Sequence, residues 1–182
     1  MAKPLLLGRK EIASVYNIAP TSVSDSWIQL GILAYEDAAI VSGKPFWPGG
    51  LVESVALPPG KHGRQLDVGK LEALQAEQGA TVRPMKKGEL PPLVGAQEYS
   101  TLFGVTQSHV TQALKRLPSC DYLLSGSRVW LLTNVLDAAE ATMASSRGGR
   151  WRLNEAVAEA LQSGTYDGPG SAFMKRGLAA EK

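Results

Sequence analysis

The sequence contains an internal repeat. Leu6 to Ile18 aligns with Leu93 to Val105 at a constant offset of 87, which sets Gly8 on Gly95, Glu11 on Glu98 and Val15-Tyr16 on Leu102-Phe103. The same register carries Thr21 onto Ser108, Val23 onto Val110, Ser24 onto Thr111, Ser26 onto Ala113 and Trp27 onto Leu114. A second block follows in both copies. Ser42-Gly43-Lys44-Pro45-Phe46-Trp47 matches Ser125-Gly126-Ser127-Arg128-Val129-Trp130 at an offset of 83 (Gly43 on Gly126), so the second copy is a little shorter between the blocks. Two blocks in one order, with a shared Ser-Gly-x-x-x-Trp ending, indicate a duplicated unit. That duplication restricts 182 residues to two small domains of one design.

The periodicity of each copy predicts a pair of helices. From Glu11 to Tyr16 the apolar residues Ile12, Val15 and Tyr16 share one helical face, with the small Ala13 beside them. Asn17 tolerates the left-handed conformation that ends a helix, and Gly104, its counterpart, adopts it at no steric cost. Ile18 and Val105 follow as apolar plugs. A second helix then starts, with Pro20 in its first turn in one copy and Thr106 as N-cap in the other. Val23, Ser26 and Trp27 should face the first helix, as should Val110, Ala113 and Leu114. A helix, a tight turn and a second helix make a helix-turn-helix motif. Its outward positions are Thr21, Ser22, Ser24 and Asp25 in one copy and Gln107, Ser108, His109, Thr111 and Gln112 in the other. Apart from Asp25, these are side chains of the kind that hydrogen-bond to base edges in a major groove.

The Ser-Gly-x-x-x-Trp block combines a turn signal with β-favouring residues and predicts a short hairpin, with Lys44 and Arg128 near its tip. Those two cations are placed to meet phosphate, together with Arg9, Lys10, Lys115 and Arg116. Trp27, Trp47 and Trp130 are expected in the cores rather than stacked on bases. Helices over 51–56 and 133–144 close the two units.

Both copies resemble the winged helix-turn-helix of the excisionase and MerR-like superfamily, including AlpA-type phage regulators. Val105-Thr106-Gln107-Ser108-His109-Val110 and Gly126-Ser127-Arg128-Val129-Trp130 carry that resemblance best, over about 6–56 and 93–144. It implies a mainly α fold with small β wings. It also implies a regulator of transcription, or a recombination directionality factor, from a phage, plasmid or mobile element, that reads double-stranded DNA with the second helix of each unit and assembles on it as a dimer or larger array. The first copy departs from the pattern, since its second helix has no Lys or Arg and carries Asp25. A protein-interaction adaptor, or a partition or packaging protein, is therefore the alternative for that unit. Neither copy is followed by the long helix that effector-sensing relatives use to dimerise.

Composition sets bounds without naming a function. A net charge of +2 and a pI near 8.7 permit nucleic-acid binding but do not argue for it. One cysteine, Cys120, excludes an internal disulfide or a multi-thiolate zinc site. No apolar run approaches the roughly 20 residues that cross a bilayer. The expectation is a cytoplasmic, nucleoid-associated protein. No nucleotide fingerprint, catalytic triad or paired-carboxylate site is evident, so neither an enzyme nor a cofactor is expected.

The expected organisation is a first domain at 1–56, a basic linker with one helix at 57–92, a second domain at 93–146, and an amphipathic helix with a flexible tail at 147–182. The linker helix runs from Asp67 to Gln78 and stops at Gly79, with Leu71, Leu74 and Gln75 on one face. Lys61, Arg64, Arg83, Lys86 and Lys87 in its flanking loops are candidates for tracking phosphate, although a solvated Lys86-Lys87 is the plainer reading. The last helix, over 151–163, carries Leu153, Val157 and Leu161 at four-residue spacing.

Overall fold

A computed structural model describes residues 3–146 and 148–174. The chain opens with β1 (Lys3–Pro4), β2 (Leu6–Leu7) and α1 (Arg9–Val15). Next come α2 (Pro20–Ser22), which continues into a π turn over Val23–Trp27, and the hairpin β3 (Ala39–Val41) and β4 (Lys44–Pro48). α3 (Gly49–Ser54), α4 (Val68–Gln78) and β5 (Ala80–Thr81) follow. The second copy repeats the scheme with β6 (Leu93–Val94), α5 (Ala96–Leu102), α6 (Gln107–Gln112), the hairpin β7 (Tyr122–Leu124) and β8 (Ser127–Leu131), then α7 (Leu132–Asp137) and α8 (Ala139–Ala144). A final helix, α9, spans Glu155–Ser163. With 42% helix and 14% strand, the protein is mixed α/β with small sheets, and the expectation of a mainly α fold is corrected. The reason is that each unit spends its hairpin and its leading strand on a three-stranded sheet.

The repeat register of the sequence is kept by the backbone. The sheets run β2-β4-β3 and β6-β8-β7, with Leu7 opposite Trp47 in one and Val94 opposite Trp130 in the other. Asn17 and Gly104 both have positive φ, and the residue after each donates to a helix carbonyl (Ile18 N to Ala13 O, Val105 N to Ser100 O). Trp47 and Trp130 are buried, and each indole donates at 2.9 Å to a carbonyl ahead of its hairpin, Ala34 O and Pro118 O. A large apolar ring with its one polar atom satisfied stabilises each core by several kcal/mol, by order of magnitude.

The segment between the copies carries the expected helix and packs it on the first unit. Asp67 caps α4 by accepting from Lys70 N, Gly79 ends it in the left-handed conformation, and Leu71 and Ala80 enter the first core. β5 pairs parallel with β1. Gln78, rather than Gln75, is the buried amide: its side chain exchanges two hydrogen bonds with the backbone of Leu6, so a polar residue is buried with its needs met. Arg64 is half-buried and donates from Nε to Val55 O, which fastens the loop rather than freeing the charge. Lys61, Arg83, Lys86 and Lys87 are exposed.

The last helix begins later than expected, because Arg152 N and Asn154 N donate to Phe103 O and Leu102 O and hold that stretch extended along α5. Asn154 then caps it, and Ala158 and Leu161 join the second core. The 133–144 helix is broken at Ala138, between α7 and α8. Beyond α9, Gly170 O accepts from Gly43 N and Met174 N donates to Gly43 O of the first unit; Arg147 and residues 175–182, the end of the expected flexible tail, lie outside the described residues.

A third apolar cluster joins the copies. Leu6, Val41 and Phe46 of the first pack on Tyr122, Leu124 and Val129 of the second, all nearly fully buried, so the two small sheets meet face to face.

Candidate nucleic-acid interface

In the second unit the sequence folds the candidate interface from a cap outward. Thr106 is extended, and its hydroxyl accepts from His109 N and lies 3.1 Å from His109 Nδ1. One residue therefore starts α6 and orients the imidazole. Val110 is buried and anchors the helix, while Gln107, Ser108, His109, Thr111 and Gln112 are exposed along the other face. Thr111 donates to Gln107 O, so its hydroxyl is partly used by its own helix. Lys115 and Arg116 follow in the turn after α6, both exposed. His109, Gln112 and Arg116 converge with Arg150 and Trp151 on a cleft of about 230 Å³.

The first unit builds the same place differently. Pro20 begins α2, and the backbone then widens so that Ile28 N donates to Val23 O across the π turn. Val23 and Trp27 remain buried, with Trp27 edge-on to Tyr16 at 4.9 Å. The wider turn carries Ser26 outward, so the expectation that it packs on α1 is corrected, whereas Ala113 is half-buried. Thr21 and Asp25 are exposed, and Ser22 and Ser24 are half-buried. Ser24 and Asp25 share a cleft of about 640 Å³ with Arg9, Tyr35 and Lys44. Burial raises the Tyr35 phenol above its ordinary pKa, opposed by the Arg9 charge. Tail residue Phe173 stacks on Tyr35 with centroids 4.1 Å apart, and Met174 N donates to Gly43 O at the edge of this cleft.

The hairpin tips sit elsewhere than on a free wing. Each Ser-Gly turn has positive φ at both residues, the two-residue geometry whose twist matches paired strands. Each turn then docks on the other copy's first helix. Ser125 donates from N and Oγ to the Glu11 carboxylate (2.6 Å each), and Ser42 donates from N and Oγ to Glu98 (2.7 Å each). The same carboxylates accept from Gly8 N and Gly95 N, while Lys10 N and Gln97 N donate to the visiting serine hydroxyls. A Cβ on Gly8 would lie 2.5 Å from Ser125 Oγ, and one on Gly95 2.3 Å from Ser42 Oγ. Only glycine admits that approach. The Gly-x-x-Glu spacing was readable as a cap; its second use, as a socket for the other copy, was not.

This docking sorts the charged residues. Lys44 Nζ donates to Ser127 Oγ at 2.5 Å, so two repeat-equivalent residues touch at the junction. Lys44 and the exposed Arg128 line a cleft of about 210 Å³ with Gln107 and Thr111 of α6. Lys10 is not part of this group. Its exposed side chain lies over α4, near Lys70 and Glu77. Lys3, which the sequence did not single out, lies 4.6 Å from the Tyr122 ring centre and donates to Asp121 O, a further tie between the copies.

Among the described residues there is no cluster of metal-ligating side chains and no helix long and apolar enough to cross a membrane. Compared with known proteins, the chain matches no family model, no curated protein and no solved structure.

Proposed function

We propose that this chain is a sequence-specific double-stranded DNA-binding protein in which each copy is a winged helix-turn-helix unit and the second copy is the principal reader. One observation carries the reading: α6 buries Val110 and leaves Gln107, Ser108, His109 and Gln112 exposed, with Lys115, Arg116 and Arg128 close by. Polar groups that specify bases, flanked by cations that hold phosphates, form the division of labour expected of a major-groove helix. The role of regulator or recombination directionality factor rests on the family resemblance. A mobility-shift assay over a salt series tests the reading. Binding should fall steeply as salt rises, by about 0.9 in the logarithmic slope for each phosphate neutralised. Flat or absent binding would remove the proposal.

The first copy supports a second reading, as a protein contact. Asp25 is exposed where a phosphate would approach, and residues of the chain's own tail already lie on its cleft. Under that reading the chain is an adaptor, or a partition or packaging protein, that holds DNA by one unit and a protein by the other.

A further inference from the structure

We infer that the duplex this chain recognises consists of two unlike half-sites in inverted orientation, held at one fixed spacing. The inference rests on the DNA-binding reading above and adds the architecture of its target. The contacts between the copies are reciprocal: Ser125 on Glu11 is answered by Ser42 on Glu98, and Lys10 N on Ser125 by Gln97 N on Ser42. Reciprocity of this kind, residue i to j and j to i, is the signature of a two-fold relation, here between halves of one chain. Lys44 and its repeat-equivalent Ser127 touch, as residues beside such an axis must.

The clefts beside the two candidate reading helices also meet at one hairpin tip. Lys44 and Ser42 line both the cleft with Ser24 and Asp25 and the cleft with Gln107 and Thr111, so both helices border one central point. A two-fold protein set on DNA imposes its symmetry on the site as inverted half-sites. The two halves differ in sequence, because Thr21, Ser22, Ser24 and Asp25 read one and Ser108, His109, Thr111 and Gln112 read the other. A homodimer reads a palindrome; this single chain breaks the palindrome while keeping its geometry. The spacing is fixed because the halves are joined by buried side chains and by the reciprocal hydrogen bonds of the two sockets rather than by a tether.

The experiment is selection of bound duplexes from a random pool with the full chain, followed by binding to designed variants of the winner. The expected winner has two different motifs in opposite orientation at one separation. Turning one motif around, or inserting either half a helical turn or a full turn between them, should each weaken binding by about 100-fold, the avidity lost with the second contact. A winner with a single motif, two motifs in the same orientation, or tolerance of a full-turn insertion would overturn the inverted rigid site and leave DNA reading intact. No enrichment, together with no salt-dependent shift, would overturn DNA reading itself and the inference with it.

Discussion

The two copies agree where they touch each other and differ where they face outward. Each uses a glycine and a glutamate at the start of its first helix as a socket for the other's Ser-Gly turn, and each buries a tryptophan with the same indole bond. The second helices of the two copies differ. One is a capped α-helix with polar and basic neighbours; the other starts on proline, widens into a π turn, carries Asp25 and has tail residues beside it. Framework positions answer to packing and to buried polar groups that must be paired, which leaves little latitude. Surface positions answer to a partner, and two partners, or two half-sites, can pull one design apart.

The strongest way to break this comparison is at the sockets. Glu98 is 2% exposed, whereas Glu11 is half-buried. Glu98→Ala strands Gly95 N and Ser42 N away from water and should cost about 3 kcal/mol of unfolding free energy; Glu11→Ala should cost about 1–2 kcal/mol, since water can reach its donors. Urea denaturation measures both. Equal, small losses would mean that the junction is not a shared core.

Next in size are the faces proposed to read DNA. Lys115→Ala or Arg116→Ala should each weaken DNA binding about tenfold and lower the salt slope by about 1, without regard to sequence. His109→Ala or Gln112→Ala should change which duplex is preferred. In the first copy, Asp25→Asn should strengthen binding by about twofold, the scale of one exposed charge. Loss of binding on Asp25→Asn would mean that this carboxylate is itself a contact.

A smaller effect is expected from the tail. Ending the chain at Asp167 removes Phe173 from Tyr35 and Met174 from Gly43. If the first cleft lies against DNA, this shortening should raise affinity about threefold, by roughly the scale of one stacked aromatic pair. Unchanged affinity would place the duplex away from that cleft and favour the protein-contact reading of the first copy.

Much of this was legible in the sequence, for reasons that can be named. The paired turns at Asn17 and Gly104, the Thr106 cap, the Asp67-to-Gly79 helix and the buried tryptophans all announce themselves through local chemistry: a left-handed residue, a side-chain acceptor, a period, a large apolar ring. The contacts between the copies do not. Ser42 and Ser125 read as turn residues, and nothing nearby in the chain says that Glu98 and Glu11 wait for them across separations of 56 and 114 residues. The strands were undercounted for a similar reason, because Leu6-Leu7 and Leu93-Val94 are too short to signal a strand until Trp47 and Trp130 lie beside them. The π turn was missed because Pro20 to Trp27 fits an ordinary helical period nearly as well.

The smallest test exploits an exchange of phenols between the copies. Tyr16 aligns with Phe103, and Tyr99 aligns with Ile12, so each unit has a tyrosine where the other has an apolar residue. Tyr16 donates to Val52 O at 2.6 Å, and burial pushes its phenol up to about 12. Among the described residues the buried Tyr99 hydroxyl has no hydrogen-bond partner, although Thr142 lies near it. Tyr16→Phe should therefore cost about 1 kcal/mol, and Tyr99→Phe should be neutral or slightly stabilising. Burial raises both phenols above the ordinary value, so both contribute to the alkaline pH dependence, and only the neutral-pH costs separate them. A phenol whose pKa is higher in the folded chain stabilises it below its unfolded value, near 10, and that contribution is lost as pH rises towards 12. Tyr16→Phe should flatten part of the alkaline fall in stability between pH 10 and 12. Thermal unfolding in alkaline buffers reads this out, and a cost for Tyr99→Phe equal to that for Tyr16→Phe would show that the Tyr99 hydroxyl finds a bond after all.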